Sequence, residues 1–381
     1  MVERIFNDPL AWGILGIFGV LAFALSLIFK DDFDTDTSMG GALLRGLEGL
    51  VLSALGALLA RSLISFLLGW ANDSEVAGFV VGWGFFLIPG IVDTIVYIIQ
   101  FLTGAHGHPL LSTPQNLLMY ATAVGGMSGM VSGLWRIYTW DGLGWIAFPL
   151  DVTWALAGNT VGCLLHFVNF LGFRLSRLLG DGTWGMHASE IRKNAHRYEK
   201  KSFGLKPDYA FTQGAVMSNL KDGPRDDLYR HEKTHVWQNR CFGPMYTLTY
   251  VGWMAAWIIP SFFAATIKIG FTNIFRGAQD WCYFNNPWET WAYNVQGCPE
   301  RTNIEGVTED DKKLIWPPKW VIAWSIPFFL AATALAVLVV NSVWVDSGMN
   351  AVATQAHAGA QKPKSQPQSK PHGAPPPAKH H

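Results

Sequence analysis

Between Asp227 and Tyr246 the chain reads DLYRHEKTHVWQNRCFGPMY, in which His231, Glu232 and His235 form H-E-x-x-H. On a helix the two histidines lie one turn apart and share a face. Two imidazoles so placed can hold one zinc ion at ~2.0–2.1 Å each. Glu232 follows the first ligand and stands beside the metal, where a general base can take a proton from the water that zinc activates. The motif needs a third protein ligand from elsewhere and one position left open for water.

Three carboxylates downstream are candidates for that ligand. Glu300 and Glu305 lie in a Pro- and Gly-containing stretch without helical pattern. Glu289, in NNPWETWAYNVQGC, has Ala292 three residues on. On a helix the pair shares a face, and the small residue lets this helix approach the zinc helix. Glu289 is therefore preferred. Gln238, seven residues after His231, shares the zinc face and has the reach for a hydrogen bond to a ligand. Tyr246 has two readings: a phenol near the metal that stabilises a developing oxyanion, or an interfacial anchor at the start of an apolar element. Tyr209 to Leu220, YAFTQGAVMSNL, alternates as a strand does. Such a strand either offers a free edge to a substrate backbone, with Gly214 permitting close approach, or is an ordinary hairpin strand.

The runs HEKTHVWQ, GPMYTLTY, IPSFFAA and WETWAY resemble a group of membrane-associated bacterial proteins that are similar to zinc metallopeptidases of the gluzincin type. In that group H-E-x-x-H-x-x-Q is followed by G-P-x-Y, an apolar stretch with P-S, and E-x-x-A. The resemblance runs from Phe211 to Tyr293, less than a third of the chain. It implies that His231, His235 and Glu289 are ligands of Zn2+ and that Glu232 is the base. Gln238 and Tyr246 fall on the motif's remaining polar positions. It also implies a bacterial inner membrane and a protein or peptide substrate.

The rest of the chain must position these residues, and it reads as membrane. Half of its 381 residues are hydrophobic and 15% are charged, against ~25% charged in soluble domains. A net charge of zero gives no reason to expect a nucleic-acid partner. A spanning helix needs ~20 apolar residues. Such stretches occur at Ala11–Phe29, Gly41–Trp70, Ala77–Leu102, Leu117–Trp135, Trp145–Leu171, Met245–Ile269 (a sixth span or a membrane-lying pair of short helices) and Val321–Val340. The first is a retained anchor, since KDDFDTDT follows it and no small-residue cleavage site does. Arg45 and Glu48 are spaced to pair on one helix face near a membrane interface, and Pro89-Gly90 marks a kink in the third span. Gly125, Gly129 and Gly133, four apart, give the fourth span a smooth face for close packing.

The expected fold is a mainly α, polytopic helical membrane protein with an inserted small α+β zincin-like metallopeptidase domain. Its parts are membrane helices over 1–172, a polar zinc-peptidase-like segment over 173–244 and an apolar membrane segment over 245–270. A polar segment with the third ligand covers 271–319, a final span 320–345, and a disordered Pro/Ala/Lys/His tail 346–381. Within the polar part, SEIRKNAHRYEKK reads as an exposed amphipathic helix. His166, His187 and His196 have no partner at ligand spacing and read as structural. Cys163 reads as buried, and Cys282 and Cys298 as either a disulfide or two thiols. Arg174 and Arg177 suggest one orientation in the bilayer and Lys268 and Arg276 the other, so sidedness stays open.

Two function classes follow. One is a membrane zinc metallopeptidase that cuts membrane-bound or membrane-proximal proteins. The other is a non-catalytic scaffold or assembly protein with membrane-protein partners that retains the zinc site, with Cys241 as a fourth ligand closing it. A transporter built on Arg45, Glu48, Arg61 and Asp93 would require the repeated hydropathy pattern that the sequence lacks.

Overall fold

The computed structural model describes residues 7–33, 37–104, 109–185, 187, 193–199, 201–203, 209–220, 227–302 and 307–360. These residues are mostly helical. Six helices are long and apolar enough to cross a membrane: α1 (Pro9–Ile28), α2 (Met39–Trp70), α5 (Pro114–Leu134), α7 (Leu156–Leu179), α9 (Pro244–Ile269) and Pro318–Ser342 of α13. The chain is accordingly a helical membrane protein.

Two of the seven expected spans are broken. The stretch Ala77–Leu102 divides into α3 (Glu75–Val81), a π-helical turn at Gly82–Phe86, and α4 (Ile88–Thr103). Leu87 sits at φ +61°, and Pro89 has no N–H to continue a helical ladder. Asp93 of α4 accepts the backbone N–H groups of Leu110, Leu111 and Ser112 at 2.7–2.9 Å, so it ties down the next loop. The stretch Trp145–Leu171 breaks between α6 (Leu143–Val152) and α7. There Asn159 of α7 donates to the carbonyl of Asp151 at 2.7 Å.

The helix caps are local and legible. Asp8 accepts from Leu10 N–H ahead of Pro9, Ser38 from Gly41 N–H, and Thr113 from Asn116 N–H ahead of Pro114. The three glycines of α5 lie against α2. A Cβ at Gly125 would be 2.5 Å from the Gly56 carbonyl, at Gly129 2.0 Å from that of Leu52, and at Gly133 2.8 Å from that of Glu48. Arg45 and Glu48 do not pair with each other. Glu48 meets Arg136 at 3.1 Å, whereas Arg45 is 1% exposed and lies over the Phe33 ring. Arg61 bonds Asp8 at 2.7 Å and Thr122 at 3.1 Å, which fastens α1 and α5 to α2.

A small sheet follows α7, built from β1 (His196–Glu199), β2 (Phe211–Gln213) and β3 (Val216–Leu220) in the order β1-β3-β2. Strand β1 runs parallel and β2 antiparallel to β3. The exposed helix expected over SEIRKNAHRYEKK is therefore corrected at His196–Glu199, which is a strand. Residues 194–198 are buried; pairing with β3 and burial against α7 outweigh the amphipathic pattern. Residues 189–192 and 200 of that run lie outside the described residues. Tyr209 to Leu220 is a hairpin rather than one strand, turning at Gly214 with φ +56°.

The sheet lies along the side of α7. Asn159 accepts from Ala215 N–H at 2.8 Å, Asn169 donates to Ser218 Oγ at 2.7 Å, and the Tyr198 hydroxyl meets His166 Nδ1 at 3.0 Å. Next come α8 (Asp227–Phe242), α9, α10 (Ile274–Phe284), α11 (Pro287–Gln296), α12 (Glu309–Leu314) and α13 (Pro318–Ala360). The last helix continues to Ala360, past the boundary at 345 that composition suggests. Residues 361–381 of the tail lie outside the described residues. All four cysteines are free thiols, Cys282 and Cys298 included.

Candidate metal centre

Helix α8 carries Asp227 in its first turn and Arg240 in its last, charges that suit the helix dipole. Arg240 anchors its C-terminal end. The guanidinium grips Asp151 of α6 with Nε 2.8 Å from Oδ1 and Nη2 2.7 Å from Oδ2, and it also donates to the Asn194 carbonyl at 2.6 Å. The Tyr138 hydroxyl donates to the same Asp151 at 3.0 Å. This fixes the face of α8 that bears His231, Glu232, His235 and Gln238.

Helix α11 supplies the other half. Asn286 caps it by accepting Trp288 N–H at 3.0 Å, Pro287 begins it, and Glu289 falls in its first turn. Ala292 is fully buried, as the small residue one turn beyond Glu289 should be if α11 is to lie close to α8.

The two helices bring three ligand atoms together. His231 Nε2 and His235 Nε2 are 3.1 Å apart. Glu289 Oε2 is 3.2 Å from His231 Nε2, and Oε1 is 3.3 Å from His235 Nε2. Two donors sharing one tetrahedral zinc at ~2.0–2.1 Å stand about 3.3 Å apart, so these separations fit a single ion. The three residues are 2–5% exposed. Among the described residues they form the one group of three or more His, Cys, Asp or Glu side chains whose ligand atoms converge in this way.

The surroundings orient the lone pairs. His235 Nδ1 stands 2.8 Å from Gln238 Oε1, an acceptor, so Nδ1 carries a proton and Nε2 is the nitrogen that faces the converging point. Gln238 Nε2 donates in turn to the Trp288 carbonyl at 3.0 Å. Two imidazole nitrogens and a carboxylate facing one point in a buried site need a cation there. Burial opposes charge on His235, but the neighbouring Glu289 outweighs it and pushes the imidazole up to about 9. Burial likewise opposes ionisation of Glu289, and His235 with the hydrogen bonds from both imidazoles holds its carboxyl well below the usual range.

Glu232 is 5% exposed and lies outside the converging group. Its Oε2 accepts from the Thr212 hydroxyl of β2 at 2.5 Å. Since β2 is an outer strand of the sheet, a sheet edge runs beside this carboxylate. The Tyr246 hydroxyl is 3.3 Å from His235 Nδ1, the ring nitrogen that faces away from Glu289. Tyr250, one turn further along α9, donates to Glu289 Oε1 at 2.7 Å.

Of the other candidates, Cys241 is exposed and no member of the converging group. Glu300 is exposed, and Glu305 lies outside the described residues. The histidines read as isolated do meet each other. His187 Nε2 is 3.3 Å from His196 Nδ1, and His166 and His196 have ring centres 4.4 Å apart. They come from different elements, so spacing conceals them. Thr212 and Tyr250 also escape a reading by spacing. Tyr250 leaves one trace, since it lies four residues after Tyr246 and so shares its helix face.

Fold and site together define a helical membrane protein with a buried two-histidine, one-glutamate centre. No family model, no curated protein and no solved structure matches the chain.

Proposed function

We propose that the chain is a membrane zinc metallopeptidase acting on membrane-bound or membrane-proximal polypeptides, with Glu232 as general base. The observation that carries this reading is the convergence of His231, His235 and Glu289 on one buried point with Glu232 beside the first ligand. Three protein donors match catalytic sites, whereas structural zinc sites take four. When bound, the ion supplies Lewis acidity, which activates water and polarises a carbonyl at ordinary pH.

The chain's own residues do the rest. Thr212 engages one oxygen of Glu232, which leaves the other to take a proton and hand it on to the leaving amine. Gln238 and Tyr246 hold His235 from its Nδ1 side. The outer strand β2 offers backbone hydrogen-bonding groups to an extended chain. The sheet lies against α7 and two tyrosines reach the centre from α9, both helices of spanning length, which favours substrates at or in the membrane. The resemblance described above favours a bacterial inner membrane.

The scaffold reading draws on a different observation. All four central residues are at most 5% exposed, so a substrate has to open the site. Metal analysis and a cleavage assay separate the two readings. For the peptidase, the wild type carries about one zinc per chain, Glu289→Ala loses it, and Glu232→Gln keeps it and stops cleaving membrane-protein substrates. Bound zinc with Glu232→Gln indistinguishable from wild type selects the scaffold.

A further inference from the structure

Every hydrogen bond to the Glu289 carboxylate among the described residues comes from one of three groups: the imidazoles of His231 and His235, and the hydroxyl of Tyr250. The carboxylate is 3% exposed, so little water can stand in for a missing donor. Once the two imidazoles direct their Nε2 lone pairs to a cation, neither can donate to Glu289. The phenol is then the one hydrogen-bond donor left on a buried carboxylate, and an unsatisfied buried carboxylate is costly.

We infer that Tyr250 is a positioning residue for metal binding: its hydroxyl, donated from the membrane helix α9, fixes the orientation in which Glu289 meets the ion. Its 2.7 Å contact to Oε1 leaves Oε2 turned toward His231. Tyr246, one turn earlier, reaches His235. One face of α9 therefore supports two of the three ligands. Tyr293 provides a contrast. Its ring lies 4.3 Å from that of His231, but its hydroxyl meets Tyr283 at 3.4 Å and no ligand. The inference rests on the centre being a metal site and is independent of whether the protein cleaves peptides.

The test is zinc affinity of the full chain in detergent, measured by competition with a chromophoric chelator. Tyr250→Phe should bind zinc about 10- to 100-fold more weakly, the usual cost of removing a group that orients a ligand. Tyr293→Phe should bind as wild type does. Incorporating 4-fluorophenylalanine at position 250 fills the space of the hydroxyl without donating, so it covers the case in which Tyr250→Phe fails to fold. It should weaken binding as well. Wild-type affinity in the folded position-250 variants overturns the inference, and a wild-type protein that takes up no zinc overturns it together with the metal reading. Weakened binding in a protein that cleaves nothing leaves the inference standing and removes only the peptidase.

Discussion

Gln238 spans the gap between the two ligand-bearing helices, with its Nε2 3.0 Å from the Trp288 carbonyl. Its Oε1 at the same time stands 2.8 Å from His235 Nδ1. One amide thus orients the His235 ring on α8 and holds the first turn of α11, which carries Glu289. Gln238→Leu keeps the bulk and loses both bonds. Its zinc affinity should fall about 10- to 100-fold in a chelator competition, and affinity equal to wild type would deny Gln238 this role.

Asp151 and Arg240 are 1% and 0% exposed at their side chains. Removing one partner strands the other charge in the interior, at a cost of about 3–5 kcal/mol. Asp151→Ala should therefore lower the unfolding temperature sharply. The double replacement Asp151→Leu with Arg240→Met should recover most of the loss, since an apolar pair of similar volume carries no desolvation penalty. Thermal unfolding of the wild type and the two variants in one detergent reads this directly.

Gly129→Ala would put a Cβ 2.0 Å from the Leu52 carbonyl, which is backbone and has no rotamer to yield. The helices α2 and α5 must part, and overpacking of this kind costs about 1–3 kcal/mol or more. Gly16→Ala in α1 meets nothing within 4 Å and should be neutral. Comparing the folded yield and melting of the two variants tests whether this contact holds the bundle together.

His196 lies in the polar segment, and burial, with His166, His187 and Arg240 around it, holds its imidazole well below the ordinary value. It stays neutral in the fold, whereas in the unfolded chain it takes a proton as pH drops through ~6.5. The unfolded state then binds more protons, so stability falls as pH decreases from about 6.5 toward the depressed native value. His196→Gln should flatten this part of the stability–pH curve. Parallel curves for mutant and wild type between pH 7 and pH 5 would assign the acid sensitivity elsewhere.

The sequence marks the centre where its geometry is local. His231 and His235 are one helical turn apart, Glu289 opens a helix behind an Asn-Pro cap, and Ala292 marks the face that comes close. Five of the spans are readable because each is a continuous apolar run. The two that break do so for reasons partly outside their own composition. Leu87 takes a positive φ between apolar neighbours, and the chain turns after Val152 where Asn159 reaches back to Asp151. Strand β1 carries a helical charge pattern and becomes a strand because β3, twenty residues later at His196↔Val216, is there to pair with it. Thr212 and Tyr250 act across space from 20 and 39 residues away, and no spacing rule reaches that far.

Helix α8 ends at Phe242 and α9 begins at Pro244, so a single residue, Gly243 at φ +50°, joins the ligand helix to a membrane helix. A Cβ at that glycine would collide with the Trp154 indole at 2.4 Å, which leaves little slack in the joint. A lever with so short an arm passes on tilt rather than absorbing it. Bilayers of different thickness tilt their helices differently, and here the tilting helix carries Tyr246 and Tyr250. On the metal reading proposed above, zinc affinity is then expected to change with the thickness of the bilayer or detergent micelle around α9, which chelator competition in lipids of different chain length would measure.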